Sequence, residues 1–235
     1  FERDLVVIGA GSGGLVAALI GATLKAKVSL VEKELMGGDC LNTGCVPSKA
    51  LIRSARHVFE NAHADSLGFK TSFVRVNLGK IMDRVARIIQ TIAPKDSVER
   101  YRSLGVDVVL GEARIISPWH VKVDEKIIST RKIILATGAT PLIPNIEGLE
   151  TFPFLTSENL WSLRKRPDRL VVIGGGAIGV ELAQTFNRLG SEVTQIEVLD
   201  SLLPNEDEEF SNIVFDRLKS EGLEILLGTR ASSIE

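Results

Sequence analysis

The chain predicts an α/β fold of two successive strand–turn–helix–strand units, with a small antiparallel β-meander in the first and a second that stops unfinished. Three observations carry this. Short continuous apolar runs, each followed by a glycine-rich turn and a helical stretch, begin at Leu5 and again at Leu170. Such runs suit parallel strands buried on both faces. Short segments rich in β-branched residues occupy 106–129, the pattern of a meander. The stretch 139–168 collects Pro141, Pro144, Pro153 and Pro167 and reads as a connector.

The elements follow in order. Leu5–Ile8 is a strand, Leu15–Leu24 a helix and Lys27–Val31 the next strand. Residues 46–64 and 78–103 have helical spacing, and Pro94 divides or kinks the second. Val106–Leu110, Glu112–Ile116 and His120–Val123 form the predicted meander, with Pro118 between the last two. Lys132–Leu135 is again a buried strand, ending in Ala136-Thr137-Gly138. Ser157 could cap a short helix over 158–164. Leu170–Ile173, Ala177–Leu189, Glu192–Glu197, a helix from about Glu206 to Glu221 and a strand at 223–227 then repeat the first unit in outline. We place a domain boundary near residue 150, giving domains 1–150 and 151–235. The chain starts at Phe1, four residues before a strand, and ends at Glu235 inside an α/β unit, which reads as part of a longer protein.

Composition narrows the function. Net charge is −2, from 28 basic and 30 acidic residues without a long block of one sign, so no nucleic-acid surface is expected. One Tyr and 5% aromatics leave little for stacking on single strands. Leu5–Leu24 is uncharged and as long as a membrane span. Gly11-Ser12-Gly13-Gly14 breaks it, so it reads as strand, turn and helix. It also lacks the basic start and cleavage site of a secretory leader, and a cytoplasmic protein is expected. Two cysteines are too few for a secreted disulfide framework. His57, His63 and His120 form no ligand cluster with them and read as surface or packing residues. No resident metal site is expected. Glu206-Asp207-Glu208-Glu209 reads as the acidic start of a helix.

Gly9-x-Gly11-x-x-Gly14 follows a strand and opens a helix. The first glycine permits the tight turn, the second lets a pyrophosphate approach the backbone, and the third lets helix pack on strand. Free N–H groups at the helix start, with the helix dipole, favour the anion. Glu32 ends the second strand eighteen residues after Gly14 and can accept hydrogen bonds from two ribose hydroxyls. Gly174-Gly175-Gly176-Ala177-Ile178-Gly179 repeats the turn, and Glu197 stands at the same offset. The two units are therefore Rossmann-like, and two dinucleotide sites in one chain imply an electron path between two cofactors. A carboxylate at Glu197 suits a free 2′-hydroxyl, so NAD(H) is expected over NADP(H).

Cys40 and Cys45 lie in Gly37-Gly38-Asp39-Cys40-Leu41-Asn42-Thr43-Gly44-Cys45-Val46-Pro47-Ser48-Lys49. In an ideal helix, residues five apart have Cα atoms roughly 8.6 Å apart, whereas a disulfide needs less than about 7 Å. A bond between them would thus require a non-helical loop, and Asn42, Thr43 and Gly44 suit one. Pro47 suits the first turn of a following helix, which puts Cys45 near a helix N-terminus, where thiolate is favoured. The plainer alternative is two buried, inert cysteines.

The C-x4-C-x3-K segment Gly37–Lys49, with Gly9–Gly14, Ala136-Thr137-Gly138 and Gly174–Gly179 in this order, resembles class I pyridine nucleotide–disulfide oxidoreductases, the family of dihydrolipoyl dehydrogenase, glutathione reductase and mercuric reductase. The resemblance implies that Gly9, Gly11, Gly14, Glu32 and Lys33 hold the ADP part of FAD. It implies that Gly38, Cys40, Lys49, Ala113, Thr137 and Gly138 line the rest of the flavin path. Cys40 and Cys45 would form the redox-active disulfide, with Cys45 as the charge-transfer sulfur and Cys40 meeting the substrate. Lys49 would lie near the flavin and pair with Glu181, while Gly174–Gly179 and Glu197 would take NADH. Electrons would pass from NADH through the flavin to the cysteines and on to a small disulfide or a metal ion, or in reverse from a dithiol. The family also implies a homodimer, built through a C-terminal domain that carries the catalytic His–Glu pair and lies beyond this chain. A weakly flavin-binding piece without turnover is expected from these residues alone. Asp39 and Thr43 depart from the family's usual residues beside the cysteines, and Asp39 alters one phosphate-side contact. Val46-Pro47-Ser48-Lys49 leans toward mercuric reductase, and Gly179-Val180-Glu181 with Glu197 leans toward dihydrolipoyl dehydrogenase. A flavoprotein NADH oxidase or metal reductase and a non-enzymatic cysteine redox sensor are the competing readings.

Overall fold

The computed structural model describes residues 1–70 and 74–234. The chain divides into two compact units, one of residues 1–47 and 86–141, the other of residues 48–85 and 142–234.

In the first unit, β1 (Arg3–Ile8), β2 (Val28–Glu32) and β3 (Asp107–Leu110) run parallel in the order β3-β2-β1. α1 (Ser12–Thr23) joins β1 to β2. β2 is buried at every position, Ser29 and Glu32 included. α1 lies close on it because Gly21 has no side chain: a Cβ there would stand 2.8 Å from Val28 Cγ2. The core above this sheet is built from Val7, Leu15, Ala18, Leu30, Tyr101 and Val108. Arg3 ties the strands together from β1, its Nε donating to Ser29 Oγ at 2.7 Å and its guanidinium meeting Asp107 at 2.6 Å.

The helices between them are α2 (Gly38–Asn42), α3 (Cys45–Ala62), α4 (Leu78–Ile92) and α5 (Val98–Ser103). Pro94 does divide the helical stretch, standing in a short 3-10 turn, Ala93–Asp96, between α4 and α5. Ser97 then caps α5, its Oγ accepting from the Arg100 N–H at 3.2 Å.

The meander differs from the sequence expectation. Val106–Leu110 does not belong to it; Asp107–Leu110 is the parallel edge strand β3. The meander is β4 (Ala113–Ser117), β5 (His120–Val123) and the first half of β6 (Lys126–Leu135). The second half of β6 pairs parallel with β1, from Arg3↔Thr130 to Ile8↔Leu135. Burial explains the placement. Val108 is buried beside β2, whereas β4 keeps an exposed face at Ile115 and Ile116.

In the second unit, β7 (Arg169–Ile173), β8 (Glu192–Ile196) and β9 (Glu224–Leu226) form a parallel sheet in that order. α6 (Ala177–Arg188) joins β7 to β8, and α7 (Glu208–Ser220) precedes β9. The helix expected over 158–164 is only a 3-10 turn, Leu160–Ser162, and Ser157 does not cap it. Thr156 and Asn159 take the local backbone instead: Asn159 Oδ1 accepts from the Thr156 N–H at 2.7 Å, and Thr156 Oγ1 from the Glu158 N–H at 3.2 Å. Such side-chain bonds compete with helix. No helix among the described residues is long and apolar enough to cross a membrane.

Glu221, at the end of α7, has a side chain only 2% exposed, and it accepts from Arg188 Nε at 2.7 Å, Arg217 Nε at 2.7 Å and Gln184 Nε2 at 3.2 Å. The same two arginines lie over the Phe59 ring of α3 at 4.5 and 5.2 Å. Burial acts to raise the Glu221 carboxyl, but the bonds from Arg188 and Arg217 outweigh it and hold the group below its ordinary range. A depressed folded value stabilises above the unfolded carboxyl range and loses that contribution as pH falls through the folded value. Urea midpoints should therefore drop as pH falls below about 4.3, the unperturbed Glu value, and this decline should be shallower in Glu221→Gln. Glu221→Ala should cost about 3 kcal/mol, because it strands a buried arginine.

Candidate functional site

Each unit carries one glycine turn, and the two are built alike. In the first, Gly9 adopts φ +100°, and its N–H donates to the Val31 carbonyl at 2.8 Å. A Cβ on Gly14 would run into the Gly9 carbonyl. Gly11 caps α1 in an extended conformation without a side-chain bond. The N–H groups of Ser12, Gly13 and Gly14 precede the first intrahelical donor, Leu15, and are left to an outside acceptor. The second turn matches it: Gly174 has φ +110°, and its N–H meets the Ile196 carbonyl at 2.8 Å. A Cβ on Gly179 would collide with the Gly174 carbonyl, and Gly176 caps α6 in an extended conformation.

The strand-end carboxylates close both turns. Glu32, 9% exposed, accepts from the Ala10 N–H at 2.7 Å with one oxygen and from the Glu34 N–H at 2.8 Å with the other. Glu197, 7% exposed, accepts from the Gly175 N–H and, at 2.8 Å, from the Leu199 N–H. The sequence reading gave these acids to ribose hydroxyls and missed their hold on the turn itself. The signal was there: each carboxylate stands 22 residues after the turn N–H it binds. Lys33 is exposed and pairs with Glu34 at 3.3 Å.

In the first unit three further segments converge on the turn. Gly37 donates its N–H to the Ala10 carbonyl at 2.9 Å. A Cβ on Gly38 would press against Gly11 Cα, so the two backbones touch as only glycines allow. From the end of β6, the Ala136 carbonyl and Thr137 Cα pack on Gly9. A Cβ on Gly138, whose φ is +71°, would be 3.9 Å from Asp39 Oδ2. Ala113 lies farther along, packed at the start of β4 against the cluster of Val6, Ile8, Val31 and Val121.

The cysteines sit at a helix break. The expected loop over Asn42, Thr43 and Gly44 is shorter than predicted. Asn42 remains in α2, its Nδ2 donating to the carbonyls of Gly38 at 2.9 Å and Met36 at 3.1 Å. Only Thr43 and Gly44 leave the helix. A Cβ on Gly44 would stand 2.9 Å from the Asp39 carbonyl, so the break needs glycine. Cys45 is the first residue of α3, and Pro47 lies in its first turn. The structure describes two free thiols, Cys45 exposed and Cys40 half-buried, with their side chains hydrogen-bonded to each other. That bond with Cys45 is the main cause that holds the Cys40 thiol above its ordinary range, followed by burial and by the electrostatic influence of Cys45.

Lys49 lies one turn along α3, and its Nζ donates to both Glu181 oxygens, at 2.6 and 2.7 Å. The pair is more than a third exposed on both sides, so it contributes orientation more than stability. Among the described residues no cluster of His, Cys, Asp and Glu could hold a metal ion. A groove of about 470 Å³ lined by Arg53, His57, Lys80 and Arg84 contains none of these residues.

A family model described as pyridine nucleotide-disulphide oxidoreductase matches residues 3–235. The chain is 34% identical over 232 residues to a mercuric reductase of Lysinibacillus sphaericus, covering 99% of this chain and 42% of that protein. It is 39% identical over 241 residues to a dihydrolipoyl dehydrogenase of Bacillus subtilis, covering 100% and 50%. Among solved structures, the Cu(II) complex of the HOCl-induced flavoprotein disulfide reductase RclA from Escherichia coli superposes with a TM-score of 0.82 at 28% identity, over 99% of this chain and 51% of that one. The chain thus spans about half the length of these relatives.

The mutual hold of the two sulfurs has a measurable consequence. Replacing Cys45 by Ser removes the sulfur whose bond is the main cause that raises the Cys40 thiol. In the reduced protein, Cys40 should then be alkylated by iodoacetamide at a lower pH than in the wild type, read by mass spectrometry across a pH series.

Proposed function

This chain belongs to the pyridine nucleotide-disulphide oxidoreductase family, and from that premise we propose that it forms the electron-carrying part of an NADH-dependent flavoprotein reductase. Its acceptor would be a small disulfide or a thiophilic metal ion. The observation that carries the reading is the vicinal pair Cys40 and Cys45 at the head of α3, in a chain with two glycine turns of one design.

The family uses FAD and NAD(P)H, and the residues present fit both. In the first unit Gly9, Gly11, Gly14 and Gly38 let backbone pack directly on backbone at the head of α1, with no side chains of their own there. There the unbonded N–H groups would meet a pyrophosphate. Glu32, with one N–H on each oxygen, retains lone pairs for ribose hydroxyls. Lys33 would lie on the ADP side, and Ala113, Thr137 and Gly138 would line the rest of the flavin path. In the second unit Gly174–Gly179 and Glu197 would hold NADH in the same way. A 2′-phosphate would meet the Glu197 carboxylate with like charge, which supports NADH over NADPH. When bound, the flavin supplies the two-electron relay between nicotinamide and sulfur.

The remaining chemistry falls to the chain. Cys40 would deliver its sulfur to the acceptor, while Cys45, at the head of α3, would face the flavin. Formation of the Cys40–Cys45 bond releases two electrons and two protons. The break at Thr43 and Gly44 frees the backbone from the helical spacing that would keep the sulfurs apart. Glu181 would hold the Lys49 ammonium as a fixed positive charge beside the flavin. We assign residues 1–150 to the flavin domain and 151–235 to the start of the nicotinamide domain. The complete protein is proposed to be a homodimer.

Anaerobic NADH titration of the full-length gene product, followed by visible spectroscopy, tests the reading. A long-wavelength thiolate-to-flavin band, lost in Cys45→Ser, is the expected result. Bleaching of the flavin that neither cysteine affects would remove the pair from the electron path and favour an oxidase. Absence of flavin would favour a cysteine sensor. Turnover with lipoamide against turnover with Hg(II) would then separate the two acceptor classes.

A further inference from the structure

Among the described residues, one buried side-chain atom able to hydrogen-bond has no partner: Oε1 of Gln195. Gln195 is 0% exposed and lies in the middle of β8. Its Nε2 donates to the Gly174 carbonyl at 3.0 Å, and a Cβ on Gly179 would stand 3.3 Å from the same nitrogen. The amide therefore sits directly under the second glycine turn, against both the glycine that opens it and the helix glycine that packs on it.

The first unit supplies the comparison. Counting back from the strand-end carboxylates, Glu32 and Glu197, the residue that corresponds to Gln195 is Leu30, also 0% exposed. A hydrocarbon is enough to fill this place in a unit of the same design. An amide there leaves an oxygen without a partner, which disfavours folding. A local packing rule broken beside a binding turn points to function.

The bond itself shows what the amide does. The Gly174 carbonyl and the Gly175 N–H belong to one peptide plane. Glu197 holds the N–H end and Gln195 holds the carbonyl end. That plane is gripped at both poles, whereas Leu30 can offer no donor to the Gly9 carbonyl.

We propose that Gln195 is a positioning residue for the nicotinamide dinucleotide. It keeps the Gly174 carbonyl turned inward, away from the incoming pyrophosphate, so that the N–H groups at the head of α6 meet the anion without a competing carbonyl dipole. This rests on the nucleotide reading of the second turn given above. The unpaired oxygen is tolerated for the sake of that orientation.

The test uses the flavin-loaded, full-length protein and ADP-ribose, a non-reducing probe that carries the pyrophosphate. Gln195→Met keeps the volume but loses both polar ends. Gln195→Leu copies the first unit and serves if the Met variant folds poorly. Loss of one hydrogen bond should weaken ADP-ribose binding by about three- to tenfold in calorimetry. The KM for NADH should rise in step, with kcat, flavin content and melting temperature not lowered. Unchanged binding in a folded, flavin-loaded variant would sink the proposal and leave the nucleotide reading intact. So would weaker binding accompanied by a lower melting temperature and lost flavin, which would make Gln195 a packing residue only. If the wild-type protein binds neither ADP-ribose nor NADH, the nucleotide reading fails and this inference fails with it.

Discussion

Both units depend on one interaction: a nearly buried carboxylate at the end of a strand, accepting from a backbone N–H of the glycine turn beside it. Glu32 does this for Ala10 and Glu197 for Gly175. Hydrogen bonds to a charged group contribute about 1.5–3 kcal/mol each, more than a neutral bond. Each carboxylate also holds a second N–H, at Glu34 or Leu199, so it fixes the chain leaving the strand as well as the turn. The burial of a full charge is acceptable only because both oxygens are partnered. The carboxylate thereby shapes the glycine turn and the chain that leaves the strand.

Much of this was legible in the sequence, for identifiable reasons. β1 and β7 were visible because each carries a short continuous apolar run, Leu5–Ile8 and Leu170–Ile173, of the kind a parallel sheet takes. The turns were visible because glycine alone tolerates the positive φ of Gly9 and Gly174 and the contact between Gly38 and Gly11. Pro94 marked a helix division because it cannot donate within a helix. What escaped depended on partners distant in sequence. Val106–Leu110 has the β-branched composition of the meander strands, and nothing local says that it pairs with β2. Asn42 is a turn former by type, yet its side chain reaches the Met36 and Gly38 carbonyls and keeps the helix going one residue further. The Glu221 network joins α6 to α7 and could not be seen from either alone.

The second unit adds a tie absent from simple readings of its motif. Phe59 on α3 lies under Arg188 and Arg217, and both arginines are fixed by Glu221. Lys49 and Glu181 join the same two helices, α3 and α6, nearer the cysteine end of α3. α3 is therefore held to α6 at two places about ten residues apart, roughly 15 Å along a helix. Within the second unit this part of α3 is therefore tied to α6 and α7 at two separated points.

β6 has a further effect on how the first unit comes apart. Its ten residues serve two ladders, antiparallel with β5 at the start and parallel with β1 at the end. Thr130, fully buried and bonded through Oγ1 to the Lys132 carbonyl at 2.9 Å, lies where one ladder gives way to the other. Hairpins that merely lean on a sheet open on their own, and their amides exchange with solvent early. Here the meander and the parallel sheet share one continuous strand, so the meander is anchored to the sheet through the backbone of β6 itself, from Lys126–Ser129 on β5 into Thr130–Leu135 on β1.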